Sequence, residues 1–214
     1  MKPTPRIPDR HRRLLLATPL LLLPAALAAQ QRRPTPRMTL GPFYPDVLPT
    51  DRDADLTAIE GQPGRAAGTL LYVTGRITDI RGKPVPKARL ELWQANDKGR
   101  YLHSADTDAS GPLDPNFQGY GALLTDAEGR YRIKTIKPAP YSGRTPHLHF
   151  IAAGGGERLV TQMFFEGEKL NGRDGVFRAL DRDGQRLATG AWADRAAEME
   201  ADALAVSWDI VLSA

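Results

Sequence analysis

Tyr101, Tyr141, His147 and His149 bring two phenols and two imidazoles to one chain, a donor set suited to a metal ion. The last three lie in a single run, Tyr141-Ser142-Gly143-Arg144-Thr145-Pro146-His147-Leu148-His149. On a β-strand, residues two apart point to the same face about 6.5 Å apart. His147 and His149 can therefore converge on one ion from a single rigid element. Phenolate oxygen is a hard anionic ligand that prefers a hard, highly charged metal, whereas imidazole tolerates many metals. Two tyrosinates with two histidines favour ferric iron over zinc or copper, which points to redox chemistry. The plainer alternative is a strand face that carries two histidines by chance, with Tyr101 and Tyr141 as ordinary packed aromatics. Against that, only four histidines occur, and two of the three beyond His11 form the His-x-His pair.

The elements that must position these residues read mostly as strands. Leu71, Val73 and Ile77 alternate with Tyr72, Thr74, Arg76 and Thr78, followed by the turn Arg81-Gly82-Lys83-Pro84. Ala88, Leu90 and Leu92 alternate with Arg89, Glu91 and Trp93; Tyr131, Ile133 and Thr135 alternate with Arg130, Arg132 and Lys134. Further strands are expected near 147–152, 159–165 and 206–212, and one short helix over 194–204, where Ala, Glu and Met accumulate. The stretch 102–117 reads as a long loop placed directly after Tyr101, a common way of building a site on a rigid scaffold. The expectation is an all-β fold: an antiparallel β-sandwich with long loops, an N-terminal arm and one short C-terminal helix.

Residues 1–28 read as a secretory signal peptide. Lys2, Arg6, Arg10, Arg12 and Arg13 precede an apolar run from Leu14 to Ala29, and Ala26-Leu27-Ala28 supplies small residues for cleavage. Pro19 and Pro24 interrupt the run, so no stable membrane span is expected after leader removal. Arg12-Arg13 leaves both the general and the twin-arginine export routes open, and a periplasmic or secreted location follows. Residues 29–68, rich in Pro, Gly and charge, read as an arm wrapping the domain at 69–214. The 29 Lys and Arg exceed the 25 Asp and Glu only because of the leader, which holds five of the former and one of the latter. The remainder is formally neutral and offers no basic footprint for nucleic acid. Cysteine is absent, which excludes disulfides, thiolate metal sites and cysteine nucleophiles.

Several segments carry a resemblance to a known family. They are Thr39-Leu40-Gly41-Pro42-Phe43-Tyr44-Pro45, Leu92-Trp93-Gln94-Ala95-Asn96, Gly99-Arg100-Tyr101, Leu113-Asp114-Pro115-Asn116-Phe117, Thr135 to Tyr141, His147-Leu148-His149-Phe150, and Thr161 to Gly167. In this order they resemble the intradiol ring-cleavage dioxygenases, nearest in wording to the iron-binding subunit of the protocatechuate-cleaving members. The resemblance implies a non-haem Fe(III) centre with Tyr101 and His147 as equatorial ligands and Tyr141 and His149 as axial ones. It implies catecholic substrates and O2 as partners, a cis,cis-muconic acid product and no organic cofactor. It also assigns Arg144 to stabilising negative charge on the ring, Gln162 to positioning substrate or oxygen, Tyr141 to accepting a catechol proton, and the Gly41-Pro42 run to the pocket wall. Family members assemble through arms and sheet surfaces, so a homo-oligomer is a further expectation.

Two features depart from the family's pattern. Only five residues separate Tyr141 from His147, a short loop that suggests a more open site. A leader is also unusual for a pathway commonly found in the cytoplasm, and suggests work on catechols outside the cell. His103, just past Tyr101, reads equally as a pocket residue or an exposed loop residue. Two rival readings remain: a zinc hydrolase using the His-x-His pair with a third His, Asp or Glu, and a non-catalytic transthyretin-like binding domain.

Overall fold

In a computed structural model of the chain, residues 31–107 and 111–213 are described, together with Met1. The leader assigned to residues 1–28 lies, apart from Met1, outside the described residues. Nine strands form the body: β1 (Leu70–Asp79), β2 (Arg89–Trp93), β3 (Tyr120–Leu124), β4 (Arg130–Ile136), β5 (His147–Gly154), β6 (Glu157–Phe165), β7 (Thr189–Trp192), β8 (Leu204–Ser207) and β9 (Ile210–Leu212). They run in the order β3-β2-β5-β6-β7-β8-β1-β4, with β9 also paired to β1. Two short helices, α1 (Gly175–Arg178) and α2 (Arg182–Leu187), follow a 3-10 turn at Asn171–Arg173.

The all-β expectation holds, but the purely antiparallel arrangement does not. The β1–β8, β1–β9 and β6–β7 pairings are parallel, so the sheet is mixed. The segment expected as one strand over 206–212 is divided at Trp208-Asp209. There the Trp208 N–H donates to the Thr74 carbonyl, and the Arg76 N–H donates to the Asp209 carboxylate. The chain thereby leaves β8 and resumes as β9 further along β1.

The helix expected over 194–204 is absent; two turns closed by Met199 N–H to Ala196 C=O and Ala203 N–H to Glu200 C=O stand in its place. Side-chain spacing explains the difference. Arg132 and Lys134 lie on one face of β4, and they pair with Glu198 and Glu200 respectively. Held in these turns, Glu198 and Glu200 both reach such a pair, whereas residues two apart on a helix diverge. Tyr72 adds a hydrogen bond to Glu200 at 2.6 Å. An isolated run of this length gains too little from propensity alone to resist those contacts.

β5 is the strand that matters most. It sits between β2 and β6, and its first six residues are buried. Alternation sends Leu148, Phe150 and Ala152 into the main core with Leu90, Leu92 and Val73. Each fully buried large apolar side chain there contributes roughly 1.5–3 kcal/mol. His147 and His149 face the other way, toward a smaller cluster of Trp93, Ala95, Tyr101, Tyr120 and Ile151. The two-residue period thus separates the hydrophobic interior from the chemistry.

Residues 31–68 run across this framework. Thr35 N–H donates to Val211 C=O, Met38 N–H to Val160 C=O, and Leu56 N–H to Lys134 C=O. These bonds lay the Thr39–Tyr44 segment over the polar face of β5.

Candidate metal centre

The His147 and His149 Nε2 atoms lie 3.1 Å apart, and His149 Nε2 is 3.1 Å from the Tyr101 hydroxyl. The Tyr101 hydroxyl is 3.5 Å from His147 Nε2, closing the triangle. Tyr141 completes the group: its ring centroid is 5.1 Å from that of Tyr101 and 5.7 Å from that of His147. The sequence-derived quartet is therefore brought together. Ligands about 2.0–2.1 Å from a metal stand roughly 2.9–3.5 Å from each other, so the three measured separations fit one ion between them.

Each side chain is held by a neighbour whose position the strand register dictates. Trp93 on β2 is directly opposite His149, and its indole stacks on the imidazole at 4.9 Å and 16°. His147 Nδ1 lies 2.6 Å from the Thr145 carbonyl, which can only accept, so Nδ1 carries the proton and Nε2 presents its lone pair. The Tyr101 N–H donates to the buried Asp106 carboxylate at 2.6 Å, fixing the residue at the mouth of its loop. Phe43, from the arm, lies against both Tyr101 and Tyr141 with centroids at 4.9 and 6.0 Å.

Gly41 is needed for its lack of a side chain. Its φ is +78°, and a Cβ there would come within 3.0 Å of His149 Cε1. Gly41→Ala is expected to cost about 1–2 kcal/mol from the left-handed backbone and the close contact together. It should also displace the imidazole. Denaturant titration would give the cost, and weakened metal binding would report the displacement.

The electrostatics keep the site neutral until a cation arrives. Burial, reinforced by the Arg144 charge, pushes His147 down to about 4, despite the opposing Thr145 carbonyl. Burial, then His147 and Arg144, takes His149 well below the usual imidazole range. Burial, then Tyr141, raises the Tyr101 phenol well above its ordinary value; Tyr141 is raised by burial too, partly offset by Tyr101 and Arg144. His149 Nδ1 is buried with no hydrogen-bond partner among the described residues. Two neutral imidazoles and two phenols in a dry recess form a poor hydrogen-bonding network but a good donor set. A high-charge cation would supply what burial withholds, by drawing the phenols into their ionised form.

Arg144 and Gln162 also meet here. Arg144 Nη2 donates to Gln162 Oε1 at 2.6 Å, and Gln162 Nε2 donates to the Thr39 carbonyl at 3.0 Å, which ties the arm to β6. The short loop before His147 proves to be a tight hairpin. Tyr141 and Arg144 exchange backbone hydrogen bonds, while Ser142 and Gly143 occupy φ of 38° and 77°. Positive φ at both central residues is the type I′ pattern, and it sets Tyr141 and Arg144 side by side. His103 is half-buried, its ring 5.7 Å from that of Phe43.

Asp174 is the residue that sequence reasoning missed. Fully buried, it accepts from Arg144 Nε at 2.7 Å and from the Thr145 N–H at 3.0 Å, and it caps α1 through the Val176 and Phe177 N–H groups. Through Thr145 it also braces the carbonyl that orients His147. The available signal was the helix-start pattern Asp-Gly-Val-Phe, which the two glycines flanking Arg173-Asp174 obscured.

Comparison with known proteins accords with this geometry. Residues 39–214 match the family model described as Dioxygenase. The chain is 41% identical over 176 residues to the protocatechuate 3,4-dioxygenase beta chain of Burkholderia cepacia, covering 78% of this chain and 73% of that one. It is 33% identical over 201 residues to hydroxyquinol 1,2-dioxygenase of Nocardioides simplex, covering 84% and 64% respectively. Among solved structures it resembles the dioxygenase domain of a dioxygenase–carbohydrate-binding protein fusion from Streptomyces sp. SirexAA-E. That match has a TM-score of 0.63 and 27% identity, covering 85% of this chain and 99% of that one. The chain belongs to the intradiol ring-cleavage dioxygenase family. It spans 64% of the Nocardioides enzyme and 54% of the catechol 1,2-dioxygenase of Candida albicans, both longer proteins.

Proposed function

We propose that this chain is an exported, ferric-iron enzyme that opens catechol rings with O2 between the two hydroxyl-bearing carbons, giving a cis,cis-muconic acid. The observation that carries the reading is the triangle of Tyr101 Oη, His147 Nε2 and His149 Nε2, 3.1–3.5 Å on a side and buried beneath the arm. Tyr101, Tyr141, His147 and His149 would hold the metal. When bound, ferric iron supplies Lewis acidity and an electron-accepting centre for the catechol.

The remaining work belongs to the chain's own groups. Tyr141 is the least buried of the four, so once ionised by a bound ferric ion its phenolate would be the group suited to taking a proton from a catechol hydroxyl. Arg144 directs its guanidinium at the site from a geometry fixed by Asp174 and Gln162, ready for negative charge that grows on the ring oxygen. Gln162 lies opposite His149 in the β5–β6 register and can position the substrate. Phe43, packed on Tyr101 and Tyr141, and Trp93, stacked on His149, shield the phenols and imidazoles from water. The export part of the reading rests on the leader's composition alone, and finding the mature chain in the cytoplasmic fraction would refute it.

The zinc-hydrolase alternative is weakened, because among the described residues no group of three or more His, Cys, Asp or Glu converges. The deciding experiment is reconstitution of the full chain with ferric iron. One iron per chain should bring a broad visible band from tyrosinate-to-iron charge transfer and oxygen uptake matching catechol loss. Iron binding without either response would favour the non-catalytic binding domain.

A further inference from the structure

Beside the Tyr141–Arg144 hairpin lies a cavity of about 370 Å³, within the range that takes small organic ligands. Pro140 and Leu170 give it apolar surface, Tyr141 and Arg144 belong both to it and to the candidate metal centre, and Arg173 enters from the 3-10 turn. Two arginines line it, and no aspartate or glutamate does.

The two cations differ in what they have left to offer. Arg144 is already bound to the Asp174 carboxylate and to Gln162. Arg173 is exposed and has no carboxylate within ion-pair distance among the described residues. Its sequence neighbour Asp174 is turned away, with its oxygens on Arg144, Thr145 and the start of α1. An uncompensated guanidinium at the edge of an apolar cavity attracts an anion, and its planar fork matches a carboxylate.

We propose that Arg173 is a specificity-determining residue that binds an acid substituent on the substrate ring, so that the site prefers carboxylated catechols to catechol itself. The inference rests on the reaction proposed above. In this arrangement the ring lies against Pro140 and Leu170, the hydroxyls face Tyr141, and the carboxylate meets Arg173. Unsubstituted catechol leaves Arg173 with nothing but water.

The test compares the iron-loaded full chain with its Arg173→Ala and Arg173→Lys variants, using 3,4-dihydroxybenzoate and catechol as substrates. Equilibrium binding of 4-hydroxybenzoate and of phenol supplies a second readout that needs no turnover. A charge-assisted contact corresponds to about a tenfold or greater difference in affinity. The expected result is a KM for 3,4-dihydroxybenzoate raised about tenfold or more in Arg173→Ala, with little change in kcat. The constants for catechol should stay within about twofold, and Arg173→Lys should recover part of the loss. 4-Hydroxybenzoate, but not phenol, should bind more weakly to Arg173→Ala. Equal losses on both substrates, or no preference for the acid in the unaltered chain, would overturn the assignment. If the chain cleaves no catechol yet binds 4-hydroxybenzoate in an Arg173-dependent way, the anion site stands and only the reaction is refuted.

Discussion

Replacing His149 with alanine should reduce iron affinity at least about a hundredfold, which is the upper end of what losing an outer partner of a ligand costs. The visible band and catechol cleavage should vanish with it. The metal-free protein should survive the change, for reasons visible around the ring. His149 is fully buried, Nδ1 has no hydrogen-bond partner among the described residues, and the imidazole is held by stacking on Trp93 and by the contact of Nε2 with the Tyr101 hydroxyl. Alanine leaves a cavity worth about 2 kcal/mol. His149→Leu fills most of that space and removes the unpartnered Nδ1, but it also takes the Nε2 partner from the buried Tyr101 hydroxyl, so its metal-free stability should lie between those of the alanine variant and the parent. Both variants should lose iron alike. Tyr101→Phe keeps the ring contacts with Phe43 and Tyr141 while removing the oxygen proposed as a ligand, and should shift or bleach the band. Metal analysis and melting curves of the three variants separate ligand loss from misfolding. Full iron occupancy in either His149 variant would remove this residue from the centre.

The legible part of this molecule was the part governed by short-range periodicity. His147 and His149 had to share a face once 147–152 was read as a strand, and Leu148 and Phe150 had to oppose them. Tyr101 was placed by motif and not by physics, since nothing local says that a residue after Gly99-Arg100 folds back onto β5. Elements whose conformation is set by distant partners escaped. β3 begins with Tyr120-Gly121, and Gly121 packs so closely on the Asp53 carbonyl and Leu56 that a side chain would not fit. Its strand character depends on β2 and the arm, not on its own pattern. β7 has only four residues and exists to join β6 to β8. The helices α1 and α2 begin at Asp174 and Asp181, which cap them, but Gly175 and Gly184 depress the helical signal within each. The run at 194–204 shows the converse, with good helix formers held in turns by Arg132 and Lys134.

Arg144→Ala carries the other large expected effect, and it should act on stability and turnover by separable routes. The Arg144–Asp174 pair is mostly buried, with side-chain exposures of 17% and 0%. Removing the cation strands a carboxylate in the interior, a change that typically costs 3–5 kcal/mol; the N–H groups of Thr145, Val176 and Phe177 remain, so about 3 kcal/mol is expected. Burial alone would raise the Asp174 carboxyl, but the hydrogen bonds from Phe177, Arg144 and Thr145 outweigh it and hold it below the usual carboxylate range. A depressed carboxyl contributes stability that is present above the unfolded-state value and is lost as pH falls through the folded-state value. The penalty in Arg144→Ala should accordingly be complete at neutral pH and shrink as acid protonates Asp174 in both proteins. Adding Asp174→Asn, which keeps an oxygen for the helix cap but removes the stranded charge, should restore much of the stability. It should restore none of the turnover, expected to fall by about 10²–10³ from loss of the charge-stabilising donor. Urea titrations at several pH values, paired with kcat for the single and double variants, read the two routes independently. An Arg144→Ala protein as stable as its parent at neutral pH, or a double variant that regains activity, would mean that this guanidinium neither neutralises Asp174 nor serves the reacting ring.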